Sequence, residues 1–487
     1  MSGIEELSVV QIREMLEQGK TTSYELVLRY MERVALIDKS GPCLNSVLEL
    51  NPDAVYIAEA MDRERAKGHV RSPLHGIPVF VKDNLNTADK MRTSAGSIAL
   101  SDNFATYDAT VVKKLRDAGL VIMGKTNMTE LANFMSYTMS NGYSSRGGQV
   151  VNPYLRGGEV WGSSTGSAVA VSANLCVLAI GTETDGSIIW PSSYNGIVGI
   201  KPTRGLVSRH GIVPICTAQD TAGPMARTVA DAAALLNVIA GADENDPSTW
   251  FREDVIPEDY TAFLKQDGLK SLRVGINRGY YDDFSEEQKA LAEQNYKVIE
   301  KLGACLVYDT NLPHLRCDST NLLYEFQMCL NAYLATTAPY VKCRSLKDMI
   351  DFYGDHPKEG LKYGMSILLD AQYKASGNCT DPEYILGYIN SLRKSRAEGL
   401  DRVLDGNELD ILVSPGISDA SPISGYPSIT VPAGYTSDGM PLGFTFTGRP
   451  FSEPLLIQAA YAFEQATHAR KAPCWENVAP SMFPPIE

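Results

Sequence analysis

No apolar run in this 487-residue chain approaches the ~20 residues a membrane span needs, so no membrane partner is expected. The opening Met-Ser-Gly-Ile-Glu-Glu has neither a basic start nor an apolar stretch, and no secretory leader is expected from it. Cysteines number nine, an odd count, and none forms a Cys-x-x-Cys pair. That scatter argues against a disulfide framework or a zinc site, and predicts reduced thiols in a cytoplasmic protein. Basic charge is in deficit: 44 Lys and Arg against 58 Asp and Glu leave a net charge of −14. A surface of that sign repels phosphate backbones, so no nucleic-acid partner is expected. No His/Cys/carboxylate cluster has metal-ligand spacing, and the expectation is neither metal nor other cofactor. What is present, 44% hydrophobic and 21% charged residues, is an ordinary globular composition. The length suits about three folding units, or one large domain with excursions.

The first stretch reads as two amphipathic helices opened by Ser8-Val-Val-Gln11 and Thr22-Ser-Tyr-Glu25, both capping-box patterns, with Gly19 between them. Short β-branched runs then alternate with helical segments. The candidate strands are Ile77–Lys82, Leu120–Met123, Cys176–Ile180, Ile197–Ile200, Leu272–Ile276, Cys305–Tyr308, Asp410–Val413, Ser428–Val431 and Gly443–Thr447. Helical patterns lie over Thr110–Ala118, Ser167–Asn174, Val229–Ile239 and Glu286–Leu302, and a last one over Glu453–His468. Strands separated by helices predict an α/β architecture with a mixed, largely parallel sheet flanked by helices. From about Gly241 to Asn407 the chain is more charged, Tyr-rich and mainly helical, and Thr380-Asp-Pro-Glu383 opens one helix there. The expected division is N-terminal helices over 1–68, a core over 69–240, a helical insert over 241–407 and a completing part over 408–487.

Residues 142–204 are rich in Gly, Ser and Thr, in two clusters, Gly162–Ser167 and Gly181–Ser187, that flank an apolar stretch. A helix rising ~1.5 Å per residue followed by a strand returning at ~3.3 Å per residue brings the two clusters to one edge of the sheet. Functional loops of open α/β sheets gather at such an edge. Lys82, ending the apolar strand from Ile77, can reach the same place. Taken singly, each of these is ordinary: a strand-end surface lysine, a turn, a helix cap. Two other patterns compete for attention. Gly119-Leu-Val-Ile-Met-Gly-Lys-Thr126 fits the P-loop formula, but its interior is the strand candidate itself and leaves no loop to cradle phosphate. Gly162-Ser-Ser164-Thr-Gly166 fits a G-x-S-x-G nucleophile elbow, with Asp410 and His468 in the chain order of an α/β-hydrolase esterase. The segment before it, Arg156-Gly-Gly-Glu-Val-Trp161, makes a poor buried strand, and Ser164 is kept as a minor alternative.

Taken together, Gly76-Ile-Pro-Val-Phe-Val-Lys82-Asp-Asn, Gly162-Ser163-Ser164-Thr-Gly-Ser and Gly181-Thr-Glu-Thr-Asp-Gly-Ser187-Ile resemble the three signatures of the amidase signature family. Ser187 follows Ser163 by 24 residues, as that family's two serines require. Further likenesses run through Gly124-Lys-Thr-Asn, Ser145-Arg-Gly-Gly-Gln, Val198–Thr203, Gln219–Arg227, Gly425–Gly434 and Thr447-Gly-Arg-Pro, so that all but about 241–407 is covered. The Glu-Thr-Asp-Gly-Ser form looks most like the peptide-amidase branch. The resemblance implies one large amidase-type domain and hydrolysis of a carboxamide through a seryl acyl-enzyme. It implies Lys82 as base and acid, Ser163 as a relay carrying a cis peptide bond, and Ser187 as nucleophile. The backbone N–H groups of Thr184, Asp185, Gly186 and Ser187 would form the oxyanion hole. The residue types suit the chemistry, because an amide needs a nucleophile, a base, an acid for the departing amine and donors for the oxyanion.

The chain also departs from the pattern. Asp185-Gly186 stands where many relatives have Gly-Gly, Ile189 where many have Arg, and Trp161 where smaller residues are usual. Trp161, Ile189 and Trp190 are therefore candidates for a substrate pocket, while Gln219, Asp220 and Arg227 read as braces. The connection Ser414–Ser424 looks shorter than in peptide amidases. The expected partner is a small-molecule or peptide amide, and the expected assembly a monomer or homodimer. Alternative readings are an amide-forming acyltransferase with the same acyl-enzyme, the amidase-type subunit of a tRNA-dependent amidotransferase, and a catalytically silent scaffold.

Overall fold

The computed structural model describes residues 3–250, 255–313, 315, 319–416, 420–475, 479, 481–483 and 486. Thirteen strands occur among them. In the first half these are β1 (Val47–Leu50), β2 (Pro78–Lys82), β3 (Val121–Thr126), the short hairpin β4 (Tyr143–Ser144) and β5 (Gly148–Gln149), β6 (Leu178–Glu183), β7 (Val198–Lys201) and β8 (Thr221–Ala226). In the second half are β9 (Arg273–Ile276), β10 (Cys305–Val307), β11 (Ile411–Pro415), β12 (Ser428–Tyr435) and β13 (Pro441–Thr447). All but the hairpin join one eleven-stranded sheet in the order β1-β3-β2-β6-β8-β7-β12-β13-β11-β9-β10. The sheet is mixed. Parallel pairings fill its two wings, β3-β2-β6 and β11-β9-β10, and antiparallel pairings link the wings through the middle.

Local sequence explains most of these elements. Ser8 caps the helix Val9–Glu17 with a reciprocal capping box to Gln11. Thr22 caps Ser23–Arg33 in one direction only, accepting from the Glu25 N–H. Pro382 opens the helix Pro382–Ser395 from its first turn. All nine strand candidates lie on strands. Two strands of the eleven-stranded sheet escape the alternation rule, as do both strands of the short hairpin. β1 is only four residues long, at the sheet edge. β8, Thr-Ala-Gly-Pro-Met-Ala, carries a Gly and a Pro, residues that argue against a central strand. The Gly is there for space: a Cβ on Gly223 would sit 2.1 Å from the Ile200 carbonyl oxygen.

One apolar core fills both faces of the sheet, from Ile4 to Phe463. A second cluster packs Leu322, Phe326, Leu330 and Tyr353, from the helices Ser319–Ala335 and Leu346–Asp355, against Met128, Leu131, Phe134 and Ile215. The helices of the 241–407 stretch thus lie over the loops that follow β3 and precede β8. The P-loop formula falls where β3 runs: Lys125 is a fully buried strand residue whose Nζ donates to the Leu85 carbonyl (2.6 Å) and to Thr93 Oγ1 (3.0 Å). The eight described cysteines form no disulfide. Among the described residues no helix is long and apolar enough to cross a membrane, and no group of three His, Cys, Asp or Glu could hold a metal ion.

Candidate active site

β2 and β6 are parallel neighbours, with Val79 paired to Leu178 and Val81 to Ile180. Their C-terminal ends therefore reach the same sheet edge, which places Lys82 beside Gly181–Glu183. The segment 162–164 arrives there from the other direction, because the wholly buried helix Thr165–Ser172 runs back under the sheet and leads into β6. Ser164 Oγ donates to the Thr182 carbonyl (2.8 Å) and the Ser164 N–H to the Ser187 carbonyl (3.1 Å). The two Gly/Ser loops are stitched together by these bonds, as the helix-and-return geometry predicts.

Lys82 has no exposed surface. Its Nζ lies 2.8 Å from Ser163 Oγ, 2.9 Å from Ser164 Oγ and 2.8 Å from Thr182 Oγ1, and 3.2 Å from the Thr182 carbonyl. Every partner is neutral. Burial pushes the ammonium well below its ordinary value, and the Asp220 and Glu183 charges oppose that only in part. The Gly162–Ser163 peptide bond is cis. Ser163 is itself fully buried, and its carbonyl accepts from the Thr129 N–H (3.1 Å).

Ser187 follows a tight turn after β6 and precedes the short helix Ile189–Tyr194. Gly186 has φ of +82°, and a Cβ there would strike Trp190 Cδ1 at 2.3 Å, so glycine is required twice over. Buried groups behind the turn fix its shape. Glu183 Oε2 accepts from the N–H groups of Ile188 (2.7 Å) and Ile189 (3.0 Å), which caps the short helix. Gln219 Nε2 donates to the Thr184 carbonyl (2.9 Å), and Thr184 Oγ1 donates to Asp220 Oδ1 (2.5 Å). Asp220 Oδ2 in turn accepts from the N–H groups of Ile215 (2.8 Å) and Cys216 (3.0 Å). Burial pushes the Asp220 carboxyl up to about 6. Asp185 is half-buried at the turn.

Beside the turn, the indoles of Trp161 and Trp190 stack 4.7 Å apart at 15°, with Tyr194 tilted against both. Both tryptophans are half-buried, whereas Ile189 has no exposed surface. Of the three candidate pocket residues, only the indoles reach open space. The Ser414–Ser424 connection passes close by, since Gly416 abuts Trp190; its residues 417–419 lie outside the described residues.

The rival elbow does not assemble. Ser164 Oγ is held by Lys82 and Thr182, Asp410 Oδ2 accepts from the Arg273 N–H (2.7 Å), and His468 ends the helix Glu453–Thr467 beside Glu464 and Arg470. Residues that sequence reasoning passed over also stand here. Thr182 contacts Lys82 directly, and Asn84 Nδ2 donates to Thr182 Oγ1 (3.0 Å). Position alone could have found both, since Asn84 lies two residues past Lys82 and Thr182 stands one residue before the end of the neighbouring strand.

A sequence profile described as "Amidase" matches residues 25–425. The chain belongs to the amidase signature family. It is an amidase, and relatives bear this out along most of its length. A "Probable amidase" of Arabidopsis thaliana is 40% identical over 485 residues, covering 96% of this chain and 92% of that one. The native peptide amidase of Stenotrophomonas maltophilia shares 44% identity and a TM-score of 0.93, covering 98% of this chain and all of the other. A glutamyl-tRNA(Gln) amidotransferase subunit of Acinetobacter baumannii is 35% identical over 435 residues, covering 88% of this chain and 84% of that protein.

Proposed function

We propose that this amidase cleaves its carboxamide through an acyl-enzyme on Ser187, with Ser163 as proton relay and Lys82 as base and then acid. The observation that carries the reading is a lysine stripped of water and of charged contacts, 2.8 Å from the hydroxyl of Ser163. A neutral amine there takes the Ser163 proton as Ser163 takes that of Ser187, and Ser187 Oγ attacks the carbonyl carbon. The developing oxyanion is met by the backbone N–H groups of the 184–187 turn, namely Thr184, Asp185, Gly186 and Ser187, a turn already rigid before substrate arrives. The proton then returns from Lys82 through Ser163 to the nitrogen as the C–N bond breaks. Water, activated by the same pair, releases the acid. The Trp161–Trp190 stack is proposed to flank the acyl group.

The substrate is a small-molecule or peptide amide, and the likeness to a peptide amidase supports testing peptide amides first. The protein is proposed to work in the cytoplasm, as a monomer or homodimer. Acid quenching during turnover of an amide, followed by mass spectrometry, tests the reading. The expected result is an acyl mass increment on the peptide that carries Ser187. Turnover by Ser187→Ala near the wild-type rate would overturn it.

A further inference from the structure

A cavity of about 490 Å³ opens at the C-terminal end of β6, where Thr182 and Glu183 line it. Its inner end is formed by Asn84, Thr182 and Thr184, the residues next to Lys82 and the oxyanion turn. Its walls are the apolar run Ile212–Cys216, and Met328 and Ala332 of the helix Ser319–Ala335 stand over it. Neither tryptophan lines it, and neither do Ser163 and Ser187. The cavity is thus lined by residues other than the tryptophan pair, and it meets the strand end that leads into the 184–187 turn.

The charged groups around this cavity are already engaged by the protein. Arg209 makes a two-point contact with Asp246 (2.6 and 2.9 Å) and donates to the Thr217 carbonyl (2.6 Å). Both oxygens of Asp220 accept protein donors. Two acceptors in the lining are different: Asn84 Oδ1 and Glu183 Oε1 are buried and have no donor, while Asn84 Nδ2 donates to Thr182 and Glu183 Oε2 is taken by the N–H groups of Ile188 and Ile189. A buried acceptor left unpaired is costly, and a ligand N–H would satisfy it. The cavity therefore suits a neutral, apolar group carrying an N–H at its inner end.

An amide has two halves, and this end of the site must protonate the departing nitrogen. We propose that the cavity binds the amine half of the substrate, so that this amidase takes secondary amides with an apolar amine substituent in preference to primary carboxamides. This rests on the acyl-enzyme reading above. The scissile N–H donates to Asn84 Oδ1, and the substituent lies along Ile212–Cys216. Ser187 Oγ bonds to the carbonyl carbon, the C–N bond breaks, and the proton relayed to Lys82 goes to the nitrogen. The amine leaves neutral, and water completes hydrolysis to the acid. A cavity of this volume lies within the range that holds a small ligand, and ammonia would leave it nearly empty.

The test compares one acyl group, N-acetylphenylalanyl, as its benzylamide, its N-methyl-N-benzylamide and its primary carboxamide. The benzylamide is expected to have at least tenfold higher kcat/KM than the primary carboxamide, consistent with burial of a phenyl ring. The N-methylated compound, lacking the N–H, is expected to fall at least tenfold below the benzylamide. Ala332→Trp, at an exposed helix position over the cavity, is expected to bring the benzylamide-to-carboxamide ratio down towards one. Met328→Trp, one turn earlier, serves as a second variant should the first fold poorly. A primary carboxamide turned over as well as the benzylamide, or a ratio unmoved by both variants, would overturn the proposal. Fluorophosphonate labelling of Ser187 in the same samples separates that outcome from failure of the acyl-enzyme reading, which would show as absent labelling.

Discussion

Lys82 and Lys125 sit on adjacent parallel strands, one register step apart, and neither has any exposed surface. Their burial is equal, yet their surroundings assign them different work. Lys125 donates to a carbonyl and a threonine, and the negative charges of Asp83, Asp89 and Glu49 help retain its proton, so burial brings it only to about 8. Lys82 faces two serine hydroxyls and Thr182, and the two carboxylates within its reach are themselves driven towards neutrality by burial. Desolvation makes either lysine a weaker acid-holder. Only Lys82 has serine hydroxyls at hydrogen-bond distance from its amine, the groups proposed to carry a proton from Ser187.

The largest effects should separate these two lysines. Lys82→Arg keeps a cation that cannot deprotonate, and acylation should fall by on the order of 10⁴-fold, as should activity in Ser187→Ala. Ser163→Ala should retain more activity, about 10²-fold below wild type, because water can relay the proton in part. Lys125→Met should leave kcat/KM per folded molecule within about twofold while moving Tm by a few degrees. Steady-state kinetics beside thermal unfolding reads all four. Equal loss of catalysis in Lys82→Arg and Lys125→Met would erase the distinction.

Much of this was legible before any coordinates. The hydroxyl clusters, the strand that ends in Lys82 and the helix-and-return path that joins the clusters all follow from periodicity and rise per residue. The wings of the sheet were legible for the same reason, as apolar β-branched runs between helices. Of the middle strands β8 alone was not: it carries Gly223 and Pro224 because its backbone packs against β7, and close packing leaves no propensity signal. Asp220 read only as a brace. Its place under Thr184 depends on a contact across 36 residues that no local pattern encodes. Ile189, a pocket candidate by its position after Ser187, is fully buried at the start of a helix that Glu183 caps.

Smaller effects sharpen the electrostatics. The Asp220 carboxylate raises the proton affinity of Lys82, so Asp220→Asn should shift the acid limb of the kcat/KM–pH profile to lower pH. It should also lower kcat several-fold, because an amide has one acceptor oxygen where Asp220 uses two, so either Thr184 or the N–H groups of Ile215 and Cys216 lose their acceptor. A lowered kcat with an unmoved acid limb would confine Asp220 to shape alone. Smallest is the effect at Glu130, which burial pushes up to about 7 against an ordinary 4.5, beside Tyr353 and Ser145. The folded state binds a proton there that the unfolded state has released between pH 4.5 and 7. That contribution to stability is present below pH 4.5 and lost as pH rises through 7. Glu130→Gln should flatten the Tm–pH curve across this window by a few degrees, and an unchanged slope would remove Glu130 from the account.

The central claim is that a neutral, buried Lys82 activates Ser187, and the most direct measurement is the rate of fluorophosphonate labelling against pH, with the adduct mapped to its peptide. The account predicts an adduct on Ser187 whose rate rises with pH through one ionisation well below the ordinary lysine value of 10.5 and vanishes in Lys82→Arg. A flat profile, an adduct on Ser163 or Ser164, or undiminished labelling in Lys82→Arg would contradict it.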